Sequence, residues 1–336
     1  MIMEFLLPAV LSALSMKILM DWWLRTAPRL GFLGKDMNKP GEHYSVEASG
    51  ILVILSSVFG ILAYIALETY SDMRSDLVPI MSISMTLLLA GLLGFFDDIL
   101  GWKKGISPAK RVLFTIPISI PLVVVKAGTS TVELPFIGVM DLGLIYPLVI
   151  VPIGILGASN AFNMIAGYNG LESLQGLILL ASASILCYLT GRTYAVYVVS
   201  PVIVAILIFY LLYNKYPAKA FPGNSFTYGI GAFYASLAVY WNFEKYAILS
   251  FTLYFVELFL FIRGLLNGVY KENFGKVQSD GSLLPPYEKT YSLTHLAIKI
   301  VRKVKGKCYE PDVVKTIAIM QLLVCVSSFA TVFLIR

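Results

Sequence analysis

The sequence predicts an all-α polytopic membrane protein of about ten transmembrane helices, and three observations lead there. Of its 336 residues, 58% are hydrophobic and only 14% charged, with a mean hydropathy of +0.79. A soluble domain averages roughly a quarter charged residues, so this chain cannot cover a water-facing surface and must meet lipid over most of its area. A hydrocarbon core about 30 Å thick needs roughly 20 apolar residues per helix, and nearly the whole chain divides into such stretches. The Lys and Arg residues, finally, gather in alternate connections between them.

In order, the apolar segments run near 2–24, 48–68, 78–96, 108–126, 144–163, 170–190, 194–213, 225–241, 246–268 and 312–335. The first begins at Met1 with no basic stretch and no small-residue cleavage pattern, so it reads as a retained helix. The fifth and sixth meet at Asn169-Gly170, a turn signal. Pro117, Pro121, Pro152 and Pro201 fall inside segments, where membrane helices tolerate the local kink. No internal repeat or low-complexity tract is visible. Nothing is left over for a separate soluble unit, so 1–336 reads as one integral membrane domain, with 269–311 as its longest polar connection.

Charge sets the expected orientation. One set of alternate loops holds Arg25, Arg29, Lys35 and Lys39, then Lys103, Lys104, Lys110 and Arg111, then Lys215 and Lys219. The 269–311 stretch adds Lys271, Lys276, Lys289, Lys299, Arg302, Lys303, Lys305 and Lys307. These are most of the 26 basic residues in the chain, while the opposite loops hold few, among them Arg74, Arg192 and Lys245. The basic loops are therefore expected in the cytoplasm and both termini outside. A basic face beside a membrane attracts anionic lipid or anionic soluble ligands, although topogenesis alone accounts for most of these charges. Membrane lipid is an expected partner and nucleic acid is not. The three cysteines, Cys187, Cys308 and Cys325, show no ligand or disulfide spacing.

Four polar stretches stand out against this background. Gly94-Phe95-Phe96-Asp97-Asp98 ends the third segment with two adjacent carboxylates, which are costly near lipid and default to a functional hypothesis. Like charges so close stay ionised only beside a cation or basic partner. Mg²⁺ suits them as a hard ion that takes carboxylate and phosphate oxygens; two solvated Asp residues at a helix exit are the bland alternative. Residues 157–172 place Asn160 and Asn163 on one helical face, with Asn169 and Glu172 beyond a Gly-containing turn. Interhelical hydrogen bonding is their bland reading and a polar pocket the sharper one. In the first basic loop, 31–40, Lys39 offers a point charge for phosphate, and Glu47 stands just before the second segment. Finally, Phe221-Pro222-Gly223-Asn224-Ser225-Phe226-Thr227 opens the eighth, where exposed amides make a ready anion site.

Together these stretches carry a resemblance. Asn-Lys-Pro at 38–40, Phe-Phe-Asp-Asp at 95–98, Asn-Ala-Phe-Asn at 160–163 with Gly-Tyr-Asn-Gly-Leu-Glu at 167–172, and Pro-Gly-Asn-Ser-Phe at 222–226 occur in that order over essentially the whole chain. The sequence resembles the polyprenyl-phosphate N-acetylhexosamine-1-phosphate transferases of glycosyltransferase family 4, and among them the archaeal and eukaryotic branch. That resemblance implies transfer of GlcNAc-1-phosphate from UDP-GlcNAc to dolichyl phosphate or another polyprenyl phosphate, with UMP released. It is the first step of lipid-linked oligosaccharide synthesis for protein N-glycosylation. It also implies ten spans, an active site on the cytoplasmic face, and Mg²⁺ as cofactor with Mn²⁺ as a substitute. A homodimer is a further expectation, as is residence in an archaeal plasma membrane or a eukaryotic endoplasmic reticulum.

Residue by residue, the resemblance makes Asp97 and Asp98 the paired acidic residues of the active site and Lys39 its loop lysine. Lys110 and Arg111 both fit a basic phosphate contact early in the fourth segment. Asn163 matches a metal ligand, with Asp98 and Asn224 as further metal candidates. Glu47, Gly167 and Asn169 match positions around the uridine, with Asn160 and Glu172 beside them, and Lys271 and Lys276 lie in the loop that selects the sugar. Two departures matter. Only His43 and His295 are present, against the histidine run of bacterial cell-wall members, which argues against a muramoyl-pentapeptide substrate. Asn224 stands where eukaryotic members have a metal-binding Asp, and an amide oxygen brings no charge.

Two alternatives stay open at this point. One is the same reaction with another UDP-N-acetylhexosamine or with undecaprenyl phosphate; the other, of a different class, is a transporter or flippase of lipid-linked sugar, although such proteins usually show repeats. Glu257 and Arg263 lie six positions apart inside the ninth segment. Arg263 suits snorkelling to the interface, while Glu257 suits either a place near the lipid phosphate or a hydrogen-bonded structural role.

Overall fold

The computed structural model describes residues 2–71, 77–100, 114–134, 137–269 and 273–334. Apolar runs become helices because a backbone in lipid must satisfy its own hydrogen bonds. The long ones are α1 (Ile2–Thr26), α2 (Gly50–Tyr70), α3 (Leu77–Leu100), α6 (Leu171–Leu189), α7 (Ala195–Phe209) and α12 (Glu310–Leu334). Between and after them come α4 (Ile120–Val124), α5 (Val151–Phe162), α8 (Gly223–Tyr240), α9 (Glu244–Ser250), α10 (Thr252–Leu266) and α11 (Leu293–Lys305). A 3₁₀ turn, Ile116–Ser119, leads into α4. Wide helical turns, Tyr146–Ile150 and Tyr210–Asn214, lead into α5 and out of α7.

Among the described residues six helices are long and apolar enough to cross a membrane, and a seventh crossing is available if α9 and α10 act as one span. Four of the ten expected segments do not meet that criterion of length and composition, each for its own reason. The ninth is broken at Phe251, where α9 and α10 meet at 51°. The fifth is a shorter apolar helix, Tyr146–Phe162. Part of the fourth lies outside the described residues. The eighth, α8, is rich in Gly, Ser and Tyr and need not be apolar enough for lipid, because other helices enclose it.

That enclosure defines the core. Every residue of α8 from Ser225 to Val239 is buried, and the helix packs along α3 on one side and α5 on another. Small residues permit the approach, as is usual between helices in a membrane. At Gly94 of α3 a Cβ would lie 2.3 Å from the carbonyl oxygen of Asn224, so the two backbones touch there. The outer helices are lipid-facing by contrast: 22% of the most apolar stretch of α1 or α12 is buried, against 67% in α2.

Among the described residues there are also three short hairpins, none of them expected from the sequence. Leu33–Lys35 pairs antiparallel with Tyr44–Val46 (β1, β2), Thr131–Leu134 with Gly138–Asp141 (β3, β4), and Lys276–Val277 with Leu283–Leu284 (β5, β6). The first is tied to the approach to α8: Val46 bridges Ala220 in parallel, and the amides of Ser49 and Gly50 donate to the carbonyls of Phe221 and Pro222 at 3.2 and 2.8 Å. The 269–311 connection is also more ordered than a loop. Its α11 turns Leu293, Ala297, Ile298 and Val301 inward and packs on α12.

If the Gly94 contact sets the α3–α8 spacing, Gly94→Val should cost about 1–3 kcal/mol through overpacking and lower the thermal midpoint of detergent-solubilised protein. Gly157→Ala, whose methyl would meet nothing within 4 Å, should leave that midpoint in place. Equal midpoints for both variants would refute the contact.

Candidate active site

The expected polar residues collect at one end of the helix bundle, in two hydrogen-bonded groups. The first is built on the start of α8. A helix N-terminus leaves amide donors without intrahelical partners, and near lipid those need an acceptor. Asp98, at the end of α3, supplies it. Its Oδ1 accepts the amide of Asn224 at 2.7 Å, and its Oδ2 accepts the amide and the hydroxyl of Ser225 at 3.1 and 2.9 Å. The partial positive charge at that helix end favours the carboxylate. Asp97 is buried and accepts from the Asn224 side-chain Nδ2 at 3.1 Å. One turn further along α8, the Thr227 hydroxyl donates to Oδ1 of Asn163 at 3.0 Å. Asn163 itself closes the C-terminus of α5.

Asp97, Asp98, Asn163 and Asn224 are thus one group, as the sequence leads one to expect, although Asp98 has both oxygens on the α8 start. Among the described residues no three His, Cys, Asp or Glu side chains gather into a metal cluster. The donors that are present, a buried carboxylate and neighbouring amide oxygens, are hard oxygen ligands that fit Mg²⁺ or Mn²⁺.

The second group is built on the turn between α5 and α6. Lys39 Nζ donates to Asp36 and, at 2.8 Å, to Oδ1 of Asn169, and lies 4.8 Å from the centre of the Tyr216 ring. Asn169 Oδ1 also accepts the amide of Ala218 at 2.7 Å, and its Nδ2 donates to Asp36 at 3.1 Å. Its backbone amide donates to Glu310, at the head of α12, at 2.7 Å. Asn38 Nδ2 donates to the carbonyl of Gly167 at 2.9 Å. A cavity of about 490 Å³ opens beside this group, lined among others by Asn38, Lys39, Tyr44, Tyr216, Tyr309 and Glu310. Asn163 and Asn169 are six positions apart, as are Ala218 and Asn224, so each connection spans at most about 20 Å.

Other expected residues lie differently. Glu172 is buried, and its Oε1 accepts the amide of Gly167 at 2.8 Å, which makes it a brace for the turn. Asn160 donates to the carbonyl of Leu156 in its own helix at 2.8 Å. Glu47 is half-buried, and burial raises its carboxyl above the usual carboxylate range. Lys276 is exposed on β5. Lys110, Arg111 and Lys271 lie outside the described residues. Glu257 is fully buried and accepts the Leu293 amide at 2.7 Å and the Ser292 hydroxyl at 3.0 Å, so it holds the start of α11. Arg263 faces the Tyr291 ring at 5.9 Å.

Asp36 and Glu310 belong to these groups and were not singled out from the sequence, and Ser225 and Thr227 were given no role of their own within the stretch that opens the eighth segment. Asp36 stands three residues before Lys39, an ion-pair spacing. Glu310 precedes a Pro at a helix start, where an acidic residue is ordinary, so its reach to Asn169 had no local signal.

Comparison with known proteins accords with this arrangement. Residues 80–242, which carry both Asp residues, the 157–172 stretch and the start of α8, match the family described as glycosyl transferase family 4. A protein of Saccharolobus solfataricus, provisionally named a UDP-N-acetylglucosamine–dolichyl-phosphate N-acetylglucosaminephosphotransferase, is 35% identical over 305 residues, 90% of each chain. One with the same provisional name from Sulfolobus acidocaldarius is 31% identical over 300 residues, 89% of each chain. The enzyme of that name from Dictyostelium discoideum is 27% identical over 259 residues, 65% of this chain and 62% of its own. With relatives 35% and 31% identical matched over 90% and 89% of its length, the chain belongs to glycosyl transferase family 4.

Proposed function

We propose that this protein transfers GlcNAc-1-phosphate from UDP-GlcNAc to dolichyl phosphate, releasing UMP, as the names of its relatives describe for them. The observation that carries the proposal is the meeting of Asp97, Asp98, Asn163 and Asn224 at one end of the bundle. That placement suits a water-borne nucleotide reacting with a phosphate anchored in lipid. In this reading all ten apolar segments cross the bilayer, both termini lie outside, and the site faces the cytoplasm, in keeping with its basic loops.

The chemistry then follows from charge. An oxygen of the lipid phosphate bonds to the β-phosphorus of UDP-GlcNAc, and the bond from that phosphorus to the oxygen shared with the α-phosphate breaks. UMP leaves with the shared oxygen. The second pKa of a phosphate monoester is near 6, so the nucleophile is already ionised at neutral pH and needs no strong base. What the protein must do is hold two anions together and offset charge on the transferring phosphoryl group. Asp97 with the amide oxygens of Asn163 and Asn224 would hold Mg²⁺ or Mn²⁺, whose charge when bound offsets that of the diphosphate.

The residues of this chain do the positioning. Lys39 has three N–H donors, of which Asp36 and Asn169 take two, and the third serves a phosphate oxygen. Lys110 or Arg111 supplies a second basic contact. Asp98 fixes the α8 start, and with it Asn224, against Asp97. The 167–169 turn holds the uridine, and Lys276 reaches the sugar.

Purified protein given UDP-GlcNAc, dolichyl phosphate and Mg²⁺ should release UMP, and EDTA should stop it; no turnover with any UDP-N-acetylhexosamine would sink the proposal. Asp97→Asn should lower kcat by about 10²-fold or more with the thermal midpoint unchanged. Asp98→Asn should lower both, because an amide nitrogen then faces the α8 donors; an unchanged midpoint would remove Asp98 from the helix start. Asn224→Asp should bring half-saturation to lower Mg²⁺ by adding a charge beside Asp97, and an unchanged Mg²⁺ titration would place Asn224 outside the metal shell.

A further inference from the structure

The turn at 163–170 is held on three sides already described: Asn38 on the Gly167 carbonyl, Glu172 on the Gly167 amide, and Glu310 on the Asn169 amide. A fourth hold comes from the 269–311 connection. Asn273 Nδ2 donates to the carbonyls of Met164 and Ala166, both at 3.1 Å. In return the Tyr168 hydroxyl donates to the Asn273 carbonyl at 3.1 Å. The Phe274 ring covers Gly167, whose φ is +101° and where a Cβ would lie 2.9 Å from the ring. Such a φ favours Gly, and the ring gives a second reason for it.

Asn273 is itself held. The Thr294 hydroxyl donates to its carbonyl at 2.7 Å, and Thr294 sits in the first turn of α11 beside Ser292 and Leu293. Those two donate to Glu257, which is fully buried in α10. A carboxylate there needs hydrogen-bonding partners, and the α11 start provides them. The chain of contacts therefore runs from a membrane helix, through the α11 start, to Asn273 and on to the turn.

We propose that Asn273 is a positioning residue for the nucleotide: its amide fixes the two carbonyls that shape the Gly167–Asn169 turn, and Glu257 fixes Asn273 through α11. The inference rests on the reading above that this turn holds the uridine. It follows that affinity for the nucleotide sugar depends on the connection before α12 and, through it, on Glu257. The lipid phosphate does not share that dependence.

Asn273→Asp is the test, since it keeps the shape of the side chain and removes the donor that both carbonyls require. Losing two such hydrogen bonds should raise KM for UDP-GlcNAc about tenfold or more, with kcat and KM for dolichyl phosphate within about twofold. Hydrogen exchange at the amides of residues 166–169 should speed up by a similar factor. Glu257→Gln, which keeps one acceptor oxygen, should shift the same KM by less than Glu257→Leu. Unchanged exchange in Asn273→Asp, or both KM values rising together, would overturn the proposal. A wild-type protein that turns over no nucleotide sugar would instead overturn the reading it rests on, while the exchange measurement still decides whether Asn273 holds the turn.

Discussion

α8 runs through the middle of the bundle, enclosed by other helices from Ser225 onward, and the amides at its start have no acceptor within the helix. A helix end in that position needs a partner from elsewhere in the chain. Asp98 meets the need from the end of α3, and its two oxygens between them accept from the first residues of α8. The close backbone approach at Gly94 brings the two helix ends into range, and Asn224 is delivered to Asp97 as a consequence. Removing that carboxylate would leave both a helix end and a polar group uncompensated, which is far more costly than losing an exposed hydrogen bond. The same arrangement is thus a packing solution and a site.

The loops obey the same constraint by other means. The segment before α2 and the segment before α8 run side by side, joined through Val46, Ala220, Ser49 and Phe221. This pairing orders the loop that carries Lys39 and holds Ala218 against Asn169. Lys39 consequently sits between Asp36 and Asn169 with its direction set, and is 10% exposed. A lysine on an unpaired loop would lose several rotatable bonds' worth of freedom on meeting an anion; here much of that ordering is done in advance.

Much of this was legible in the residues. Apolar runs of helical length mark the long helices because burial and backbone hydrogen bonding leave little alternative in lipid. Asp97, Asp98, Asn163, Asn169 and Asn224 stand out because polar side chains in such runs are expensive. What stayed hidden depends on partners far along the chain. That α8 is the enclosed helix follows from how the others surround it, which its own pattern does not state. The hairpins are too short for an alternating pattern to register. The start of α11 at Ser292 offers a cap signal, but a search for long apolar runs passes over a helix so rich in Lys and Arg. Asp36 and Glu310 look like an ordinary loop acid and an ordinary helix start until the fold brings both to Asn169.

The bond between Asn169 and Glu310 joins positions 141 residues apart, and Glu310 heads the last helix. A growing chain therefore carries α3, α5, α6 and α8 before the acceptor for the Asn169 amide has been made. The turn gains that partner only when the closing stretch leaves the ribosome and enters the membrane. Completion of the pocket thereby waits on a residue made 141 positions after the turn it braces, so a chain cut short before Glu310 keeps its two aspartates and lacks one wall of the site beside them.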